Sequence, residues 1–215
     1  STITGSTGFG SVEGNGIYLT NCSSGKVIIE DCVVSGNASS TTKTGAGIYL
    51  SSSSPEIIWT TVQENAGAGI SCFSSTPDLD TYLVTDDQPN TIKENGSGTQ
   101  TGSDGAEIYL ASSSYPTVKY NNIMDYDSDP VGYMIYKDEF SNSGSLTAKN
   151  NYWGATPDND FFYWGTGSSI DYSSYSATLL SSVDDFETAM DLWDDGDFEG
   201  CAEILEECVY DTGSV

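Results

Sequence analysis

Gly45-Ala46-Gly47-Ile48-Tyr49-Leu50 is the stretch that decides the fold, because the chain repeats it. Related stretches read Gly-Asn-Gly-Ile-Tyr-Leu at 14–19, Gly-Ala-Gly-Ile-Ser-Cys at 67–72 and Gly-Ala-Glu-Ile-Tyr-Leu at 105–110. A weaker copy reads Gly-Tyr-Met-Ile-Tyr at 132–136. A segment that recurs along a chain is typical of stacked repeat architectures, whose function lies on their long surfaces.

The spacing of the copies predicts the kind of stack. The equivalent positions are Ile17, Ile48, Ile70, Ile108 and Met134, and they lie 31, 22, 38 and 26 residues apart. A period just above 20 residues without a helical pattern fits three short parallel strands in each turn. The longer intervals are turns that carry polar insertions. Asparagine and glycine are expected at the corners between strands, because they tolerate left-handed backbone.

Each copy predicts an inner and an outer face. Its isoleucine and its leucine lie two residues apart, so both side chains point to the same side of a strand and should stack inside the solenoid. The tyrosine between them should point outwards. Tyr18, Tyr49 and Tyr109 are therefore predicted to form a ladder that Ser71 interrupts, and they are the candidate surface for a ligand or a protein partner.

The repeat resembles the right-handed parallel β-helix superfamily, the solenoid of pectate lyases, phage tailspikes and many surface proteins. Residues 150–154, Asn-Asn-Tyr-Trp-Gly, resemble the Asn-Tyr-Trp-Gly phrase that commonly closes the last coil of bacterial β-helix surface proteins. The resemblance implies an all-β solenoid of about five to six coils. It leaves the activity open, because this superfamily includes lyases, hydrolases and inert spacers.

The chain is expected to fall into three parts. Residues 1–165 form the parallel β-helix and 166–181 a connecting segment. In 182–215 the pattern becomes helical, with apolar residues at Phe186, Ala189, Met190 and Trp193 before an Asp-rich turn and a second apolar stripe. This predicts a small α-helical hairpin similar to a tetratricopeptide unit, which either packs on the solenoid or continues in a longer natural chain.

Composition limits the partners. Acidic residues number 32 against 6 basic ones, for a net charge of −26, and the basic residues are all lysines. Binding to nucleic acid or to an anionic membrane is excluded, because both need clustered positive charge. A chain rich in Ser, Thr, Gly and Asn with so few basic residues is expected to be extracellular or at the cell surface.

The five cysteines do not form a dense disulfide framework or a metal-binding pattern. Cys72 replaces a stacked leucine and is expected in the core. Cys201 and Cys208 lie too far apart along a predicted helix to bridge each other, and they are expected to be core thiols. Cys22 and Cys32 are expected on neighbouring strands, where they either pair or stay reduced.

One acidic run is a candidate metal site. Asp125, Asp127 and Asp129 alternate, so in an extended segment their carboxylates face the same way and could hold Ca²⁺. The alternative is a solvated turn, since the full pattern of a helix-loop-helix calcium site is absent. Calcium is thus the one cofactor that the sequence raises, and it is not required.

Two functions remain in competition. The favoured one is a non-enzymatic extracellular structural or adhesive module that binds other surface proteins or copies of itself, assembling end to end into a fibre or surface layer. The alternative is a carbohydrate-binding or polysaccharide-degrading protein, either a lyase or a hydrolase. Asp78, Asp80, Asp86 and Asp87 could contribute carboxylates to a hydrolase, but no residue is assigned a catalytic role, and the acidic surface would repel an anionic polymer.

Overall fold

The computed structural model describes residues 1–8, 14–22, 27–39, 45–80, 88–96, 105–124, 132–138, 144–165 and 168–177. Short strands occupy three sheets that the chain visits in rotation, and every strand pair in these ranges is parallel. The predicted all-β parallel solenoid is confirmed, and it has about five turns. A 3₁₀ turn lies at Asn159–Phe161.

Sheet I carries the Ile-Tyr-Leu repeats. Its six strands, in spatial order, are β3 (Ile17–Thr20), β7 (Ile48–Ser51), β10 (Ile70–Phe73), β13 (Ile108–Ala111), β16 (Ile135–Lys137) and β19 (Phe162–Trp164). Equivalent residues lie side by side, so that Ile48 pairs in register with Ile17 and with Ile70. Sheet I therefore preserves the sequence repeat as a spatial column.

Sheet II follows sheet I in each turn. Its strands are β4 (Ile28–Glu30), β8 (Glu56–Ile58), β11 (Asp78–Asp80) and β14 (Thr117–Lys119), and the pair β17 (Ser145–Thr147) and β20 (Ser169–Asp171) continues the same path. Sheet III completes the turn with β1 (Thr2–Thr4), β5 (Val33–Ser35), β9 (Thr61–Gln63), β12 (Thr91–Lys93), β15 (Asn122–Met124), β18 (Asn151–Tyr152) and β21 (Tyr175–Ser176). A further short pair joins β2 (Thr7–Gly8) to β6 (Ala38–Ser39).

The core is a set of aliphatic columns inside the three sheets. Ile48 and Leu50 are fully buried, as are their counterparts Ile70 and Ile108, whereas Tyr49 is half-exposed. The predicted alternation of inner and outer residues is confirmed in these strands. At roughly 1.5–3 kcal/mol for each buried aliphatic side chain, a turn is stable only when neighbouring turns cover it.

The weakest copy of the repeat differs by one residue from the prediction. Ile135, and not Met134, lies in register with Ile108, so Tyr136 lies beside Tyr109. The prediction of Met134 is wrong because the first three copies have glycine directly before the isoleucine, whereas this copy has the apolar Met134 there. Tyr136 therefore belongs to the outer column of tyrosines.

The corners agree with the prediction in part. Left-handed backbone occurs at Asn21, at Asn150 and at four glycines, but also at residues without this preference, including Ser52, Trp59, Glu64 and Tyr120, with φ of 50°, 53°, 53° and 56°. Such a conformation costs roughly 1–2 kcal/mol for a residue with a side chain. The residue after each of these four left-handed positions points inwards and forms hydrogen bonds with the adjacent turn of the solenoid. The stacking of turns, rather than local preference, therefore sets the corner geometry.

The repeated asparagines form buried ladders and do not occupy the left-handed positions of their own corner. Asn37 donates from Nδ2 to Oδ1 of Asn65 at 2.9 Å, and Asn65 donates to Asn95 at 2.8 Å. Asn90, Asn121 and Asn151 form a second ladder at another corner, with bonds of 3.0 and 3.1 Å. These bonds link successive turns through buried polar groups, which would be costly if left unpaired.

The glycine before the isoleucine in the first three copies is required by close packing. A Cβ atom on Gly47 would lie 2.6 Å from Nδ2 of Asn65 and 2.7 Å from the carbonyl oxygen of Gly69. The fourth copy has Glu107 at this position. Its carboxylate accepts hydrogen bonds from the backbone N–H and from Nδ2 of Asn95, at 3.0 and 2.6 Å. In the preceding turns, the next asparagine of the ladder accepts these bonds. The asparagine ladder thus ends on a buried glutamate.

Some predictions concern regions beyond these ranges. The predicted helical hairpin at 182–215 lies outside the described residues. Strands β20 and β21 show that parallel pairing extends into the 166–181 segment that was expected to be a connection. One further turn therefore follows the Asn-Tyr-Trp-Gly phrase at 150–154. In the described ranges, no helix is long and apolar enough to cross a membrane.

Candidate functional site

A ladder of aromatic rings runs along the outer face of sheet I. The rings of Tyr18 and Tyr49 are nearly parallel, with centroids 5.0 Å apart and an interplanar angle of 4°. Tyr18 is 57 % exposed, the largest exposed fraction among the large apolar side chains at the described surface. The register of β3 and β7 places these two tyrosines directly side by side, as the sequence predicted.

The sequence predicts that Ser71 interrupts the ladder. In the structure the ladder continues past Ser71. Ser71 lies in register between Tyr49 and Tyr109, but Phe73 of the same strand also points outwards and fills the gap. Its ring lies 5.1 Å from that of Tyr49 and 5.4 Å from that of Tyr109, the latter edge-on at 72°. A diagonal neighbour two residues along a strand can reach in this way when its side chain is aromatic.

The ladder continues through two tyrosines that the sequence did not single out. Tyr136 lies 5.8 Å from Tyr109, and Tyr163 lies 4.4 Å from Tyr136 at an interplanar angle of 13°. The hydroxyl of Tyr109 donates to Asp138 at 3.1 Å. The signal for Tyr136 was present in the weak fifth copy, whereas Phe162-Tyr163-Trp164 carries no recognisable repeat. We call Tyr18, Tyr49, Phe73, Tyr109, Tyr136 and Tyr163 the aromatic ladder.

The ring geometry limits what the aromatic ladder can do. Near-parallel rings at 4.4–5.1 Å use their faces on one another, so the stacked pairs turn mainly ring edges to the solvent. A sugar ring that stacks on an aromatic side chain needs an open face. The arrangement is therefore better suited to stiffening the stack and to extending it than to binding sugars along its whole length.

The predicted metal site lies outside the described residues, since 125–131 are not among them. In the part of the chain that the structure describes, no group of three or more cysteine or acidic side chains is arranged to hold a metal ion. Calcium binding by Asp125, Asp127 and Asp129 stays a prediction.

Two of the carboxylates considered for hydrolysis lie on the outer side of sheet II. Asp80 on β11 pairs with Lys119 on β14, with Oδ2 and Nζ 2.9 Å apart. This hydrogen bond raises the pKa of Lys119, which keeps the amine protonated. Asp78 is exposed on the same strand, and Asp86 and Asp87 lie outside the described residues. Asp80 is thus already engaged in a surface ion pair.

Lys137 occupies an inner position that the sequence did not predict for a charged residue. It lies in register with Leu110 and is 1 % exposed. Its Nζ donates to the carbonyl oxygen of Ser112 at 3.0 Å and lies 4.4 Å from the centroid of the Tyr115 ring. Burial lowers the pKa of Lys137. The two contacts replace part of the lost hydration of the ammonium group.

The described cysteines are free thiols. Cys22 and Cys32 lie at different corners, and each donates from Sγ to the carbonyl oxygen two residues earlier, at 3.5 and 3.1 Å. Cys72 is fully buried in the core, as predicted, and burial raises its pKa to about 12. Cys201 and Cys208 lie outside the described residues.

No protein-family model, curated protein or solved structure matches this chain. The fold class therefore follows from the strand register alone.

Proposed function

We propose that this chain is a non-enzymatic structural module of the cell exterior that assembles end to end with copies of itself. The observation that carries the proposal is the open core at both ends of the described solenoid. The aliphatic columns in the middle are fully buried, whereas several inner side chains of the first and last turns, among them Ile17, Leu19, Trp164 and Ile170, are only half-buried. An open core with unpaired strand edges is a surface that favours association.

At the first turn, Ile17 and Leu19 of β3 pack on the core but remain partly exposed. Tyr18 and Ile28 are 57 % and 46 % exposed. Among the described strands, none pairs with the outer edge of β3 or of β4. This end therefore offers backbone edges and apolar side chains together.

At the last turn, the half-buried inner residues are Phe161, Trp164, Ile170 and Tyr172. Strands β19 and β20 are the last described members of their sheets. Among the described residues, which end at 177, the two ends thus present the same kind of surface, and the same parallel strand direction runs through both.

The acidic composition supports an extracellular location and sets a condition on assembly. Two copies at a net charge of −26 repel each other at low ionic strength. The screening length falls from about 30 Å at 0.01 M salt to about 8 Å at 0.15 M salt. Assembly should therefore need physiological salt, and calcium should favour it if acidic groups bind the ion.

Electron microscopy and light scattering of the full chain would test the proposal. We expect dispersed particles in 0.01 M salt and linear assemblies in 0.15 M salt, with calcium chloride and magnesium chloride compared at equal ionic strength. Monomers under all of these conditions would count against an end-to-end assembly.

The second candidate is carbohydrate binding, and the exposed ring of Tyr18 is the observation in its favour. A glycan array with product detection would test it, with Tyr18→Ala as the matched variant. Binding that Tyr18→Ala abolishes would support this candidate, and released product would add catalysis. An array without binding or cleavage would eliminate it.

We also infer that the solenoid is a right-handed parallel β-helix, because residues 150–154 resemble the phrase that closes the last coil of bacterial proteins with that fold.

A further inference from the structure

We propose that two copies of this chain join first turn to first turn, related by a two-fold axis that crosses the solenoid at the outer edge of β3. This inference rests on the end-to-end assembly proposed above and specifies one of its joints. The occupant of the open first turn is thus the first turn of a second copy. We call the outer edges of β1, β3 and β4 the first-turn face.

Exposed apolar side chains are concentrated at this end. In the described ranges four large apolar side chains are exposed, and three of them, Tyr18, Ile28 and Val33, belong to the turn formed by β3, β4 and β5. The inner residues Ile17 and Leu19 pack on the core and remain partly exposed. A cluster of exposed apolar side chains of this kind is typical of an interaction surface.

The backbone of the first-turn face is ready to pair. Strands β1, β3 and β4 are the terminal described members of sheets III, I and II. The N–H groups of Ile17 and Asn21 donate to the β7 side, at 2.9 Å each. Alternate residues of a strand bond to opposite sides, so the N–H and C=O groups of Tyr18 and Thr20 face the outer edge.

The charge pattern favours a second copy as the occupant. In β1, β3 and β4 the only charged residue is Glu30, although the chain as a whole has a net charge of −26. The next strands of sheet II, β8 and β11, already carry Glu56, Asp78 and Asp80. Two copies with the same net charge repel each other least where their surfaces are least charged. The first-turn face is such a surface.

A two-fold rotation brings all three edges of the first-turn face together. It sets β3 antiparallel to β3 of the second copy and exchanges the sides of sheets II and III, so that β4 meets β1 of the second copy. The chain visits the three sheets in rotation, so β3 lies between β1 and β4 in height along the axis. The three strand pairs therefore reach a similar spacing, and every observed strand pair, including β1 with β5, stays intact.

One register covers the inner side chains of β3. It places Tyr18 opposite Tyr18 of the second copy, and Ile17 of each copy then lies opposite Leu19 of the other. Opposite residues of an antiparallel pair point to the same side, so inner side chains meet inner ones. One face of the Tyr18 ring stacks on Tyr49, with centroids 5.0 Å apart. In this register the Tyr18 rings of the two copies form a cross-strand aromatic pair, and the aromatic ladder continues through the joint.

The symmetry fixes the size of the assembly that this joint can make. A two-fold contact uses the same surface on both copies and is closed once they have met. The first-turn face alone therefore produces a dimer with the two remaining ends pointing outwards. Linear assemblies longer than two copies need a second contact at those ends.

A single introduced cysteine tests the two-fold axis, because only a residue close to the axis can bridge to its own counterpart. In the proposed register the two Cα atoms at position 18 lie about 5.5 Å apart, within the range of a disulfide. We expect mild oxidation of Tyr18→Cys in 0.15 M salt to convert most of the chain into a covalent dimer of twice the monomer mass. The variant is made with four further cysteines changed to serine, Cys22, Cys32, Cys201 and Cys208, whereas Cys72 stays because it is buried.

Two matched controls place a cysteine nearby but away from the axis. Thr20→Cys lies two residues along β3, and Tyr49→Cys lies one strand further in. In both cases the counterparts would be roughly 14 Å apart, too far for a disulfide. Both controls should stay free of covalent dimer under the same oxidation. Circular dichroism verifies folding, and mass spectrometry of the peptide with residue 18 allows the same test in the wild-type cysteine background.

The outcomes separate this joint from the proposed function. If the wild type forms linear assemblies while folded Tyr18→Cys remains uncrosslinked, the joint is wrong and the end-to-end assembly stands. If Tyr18→Cys crosslinks but the wild type never exceeds twice the monomer mass, the joint stands and the linear assembly fails. Crosslinking of Thr20→Cys instead would overturn the register. A thiol at position 18 that neither crosslinks nor reacts with a maleimide would show that the chain itself covers its first turn, which would overturn the proposal.

Discussion

Single buried asparagines connect the turns of this solenoid. Asn65 is fully buried, donates to the carbonyl oxygens of Val34 and Gln63 at 3.1 and 3.0 Å, and accepts bonds from Asn37. Its amide serves three successive turns at once. A change at this residue therefore leaves several buried groups without partners.

We expect Asn65→Ala to lower the free energy of unfolding by about 3 kcal/mol or more, because each orphaned buried group costs roughly 1–3 kcal/mol. Gln63→Ala, two residues earlier on the outer face, should cost less than about 0.5 kcal/mol. Chemical denaturation of both variants measures the difference. Equal losses would contradict the structural role of the asparagine ladder.

Cys72 predicts a pH dependence with a definite sign. Its pKa rises from 9.0 to about 12 on folding, because burial disfavours the thiolate. Below pH 9 the thiol is neutral in both states. Above pH 9 the unfolded chain releases this proton while the folded chain keeps it, so stability falls as the pH rises.

Relative to Cys72→Ala, the wild type should therefore lose about 1.4 kcal/mol of stability for each pH unit above 9. The comparison cancels the tyrosines and the lysines that titrate in the same range, except Lys137, whose charge interacts with the Cys72 thiolate. Denaturation of both proteins from pH 8 to pH 11 would test it. Parallel stability curves would show that Cys72 ionises equally in both states.

At the level of elements, the aromatic ladder depends on Phe73 in β10. Its ring fills the gap at Ser71 from two residues further along the strand. Phe73 lies in register with Ser51 and Ala111, so a small residue fits its place, and Ser71 lies in register with two tyrosines. An aromatic residue at 71 and a small residue at 73 would therefore give β10 the pattern of its neighbouring strands.

Phe73→Ser alone should destabilise the protein by about 1–3 kcal/mol, because it removes two ring contacts worth roughly 0.5–1.5 kcal/mol each. The double variant Ser71→Tyr with Phe73→Ser should recover most of this loss by restoring a direct column. Thermal or chemical unfolding of the single and the double variant would decide. A double variant less stable than the single one would contradict the ladder as a stabilising element.

The sequence predicted these strands well where repeats are strong. The inner positions of Ile and Leu and the outer position of Tyr follow from the alternation of side chains along a strand. This alternation is local, so it can be predicted from the sequence. The predicted position of the fifth copy is wrong by one residue because Met134 and Ile135 are both apolar and no glycine directly precedes Ile135. Only the pairing with β13 distinguishes them.

The corners and the candidate site were less predictable. Trp59 and Glu64 adopt left-handed backbone because neighbouring turns hold them there, and no local preference indicates this. Phe73 completes the ladder only through the register of three strands. Lys137 reaches an inner position because Ser112 and Tyr115 receive its ammonium group, and both lie more than 20 residues away in sequence.

At the level of the whole molecule, the central claim is an axial assembly in which strands lie across the filament. Adjacent parallel strands are spaced about 4.8 Å apart. In an end-to-end filament this spacing runs along the axis, and it continues through the joints between copies.

X-ray diffraction from aligned filaments of the wild-type chain is the most direct measurement. The account predicts a reflection at about 4.8 Å on the meridian, along the filament axis. A 4.8 Å reflection on the equator would mean that copies associate side by side through their faces. That result, or the absence of filaments at 0.15 M salt, would contradict the account.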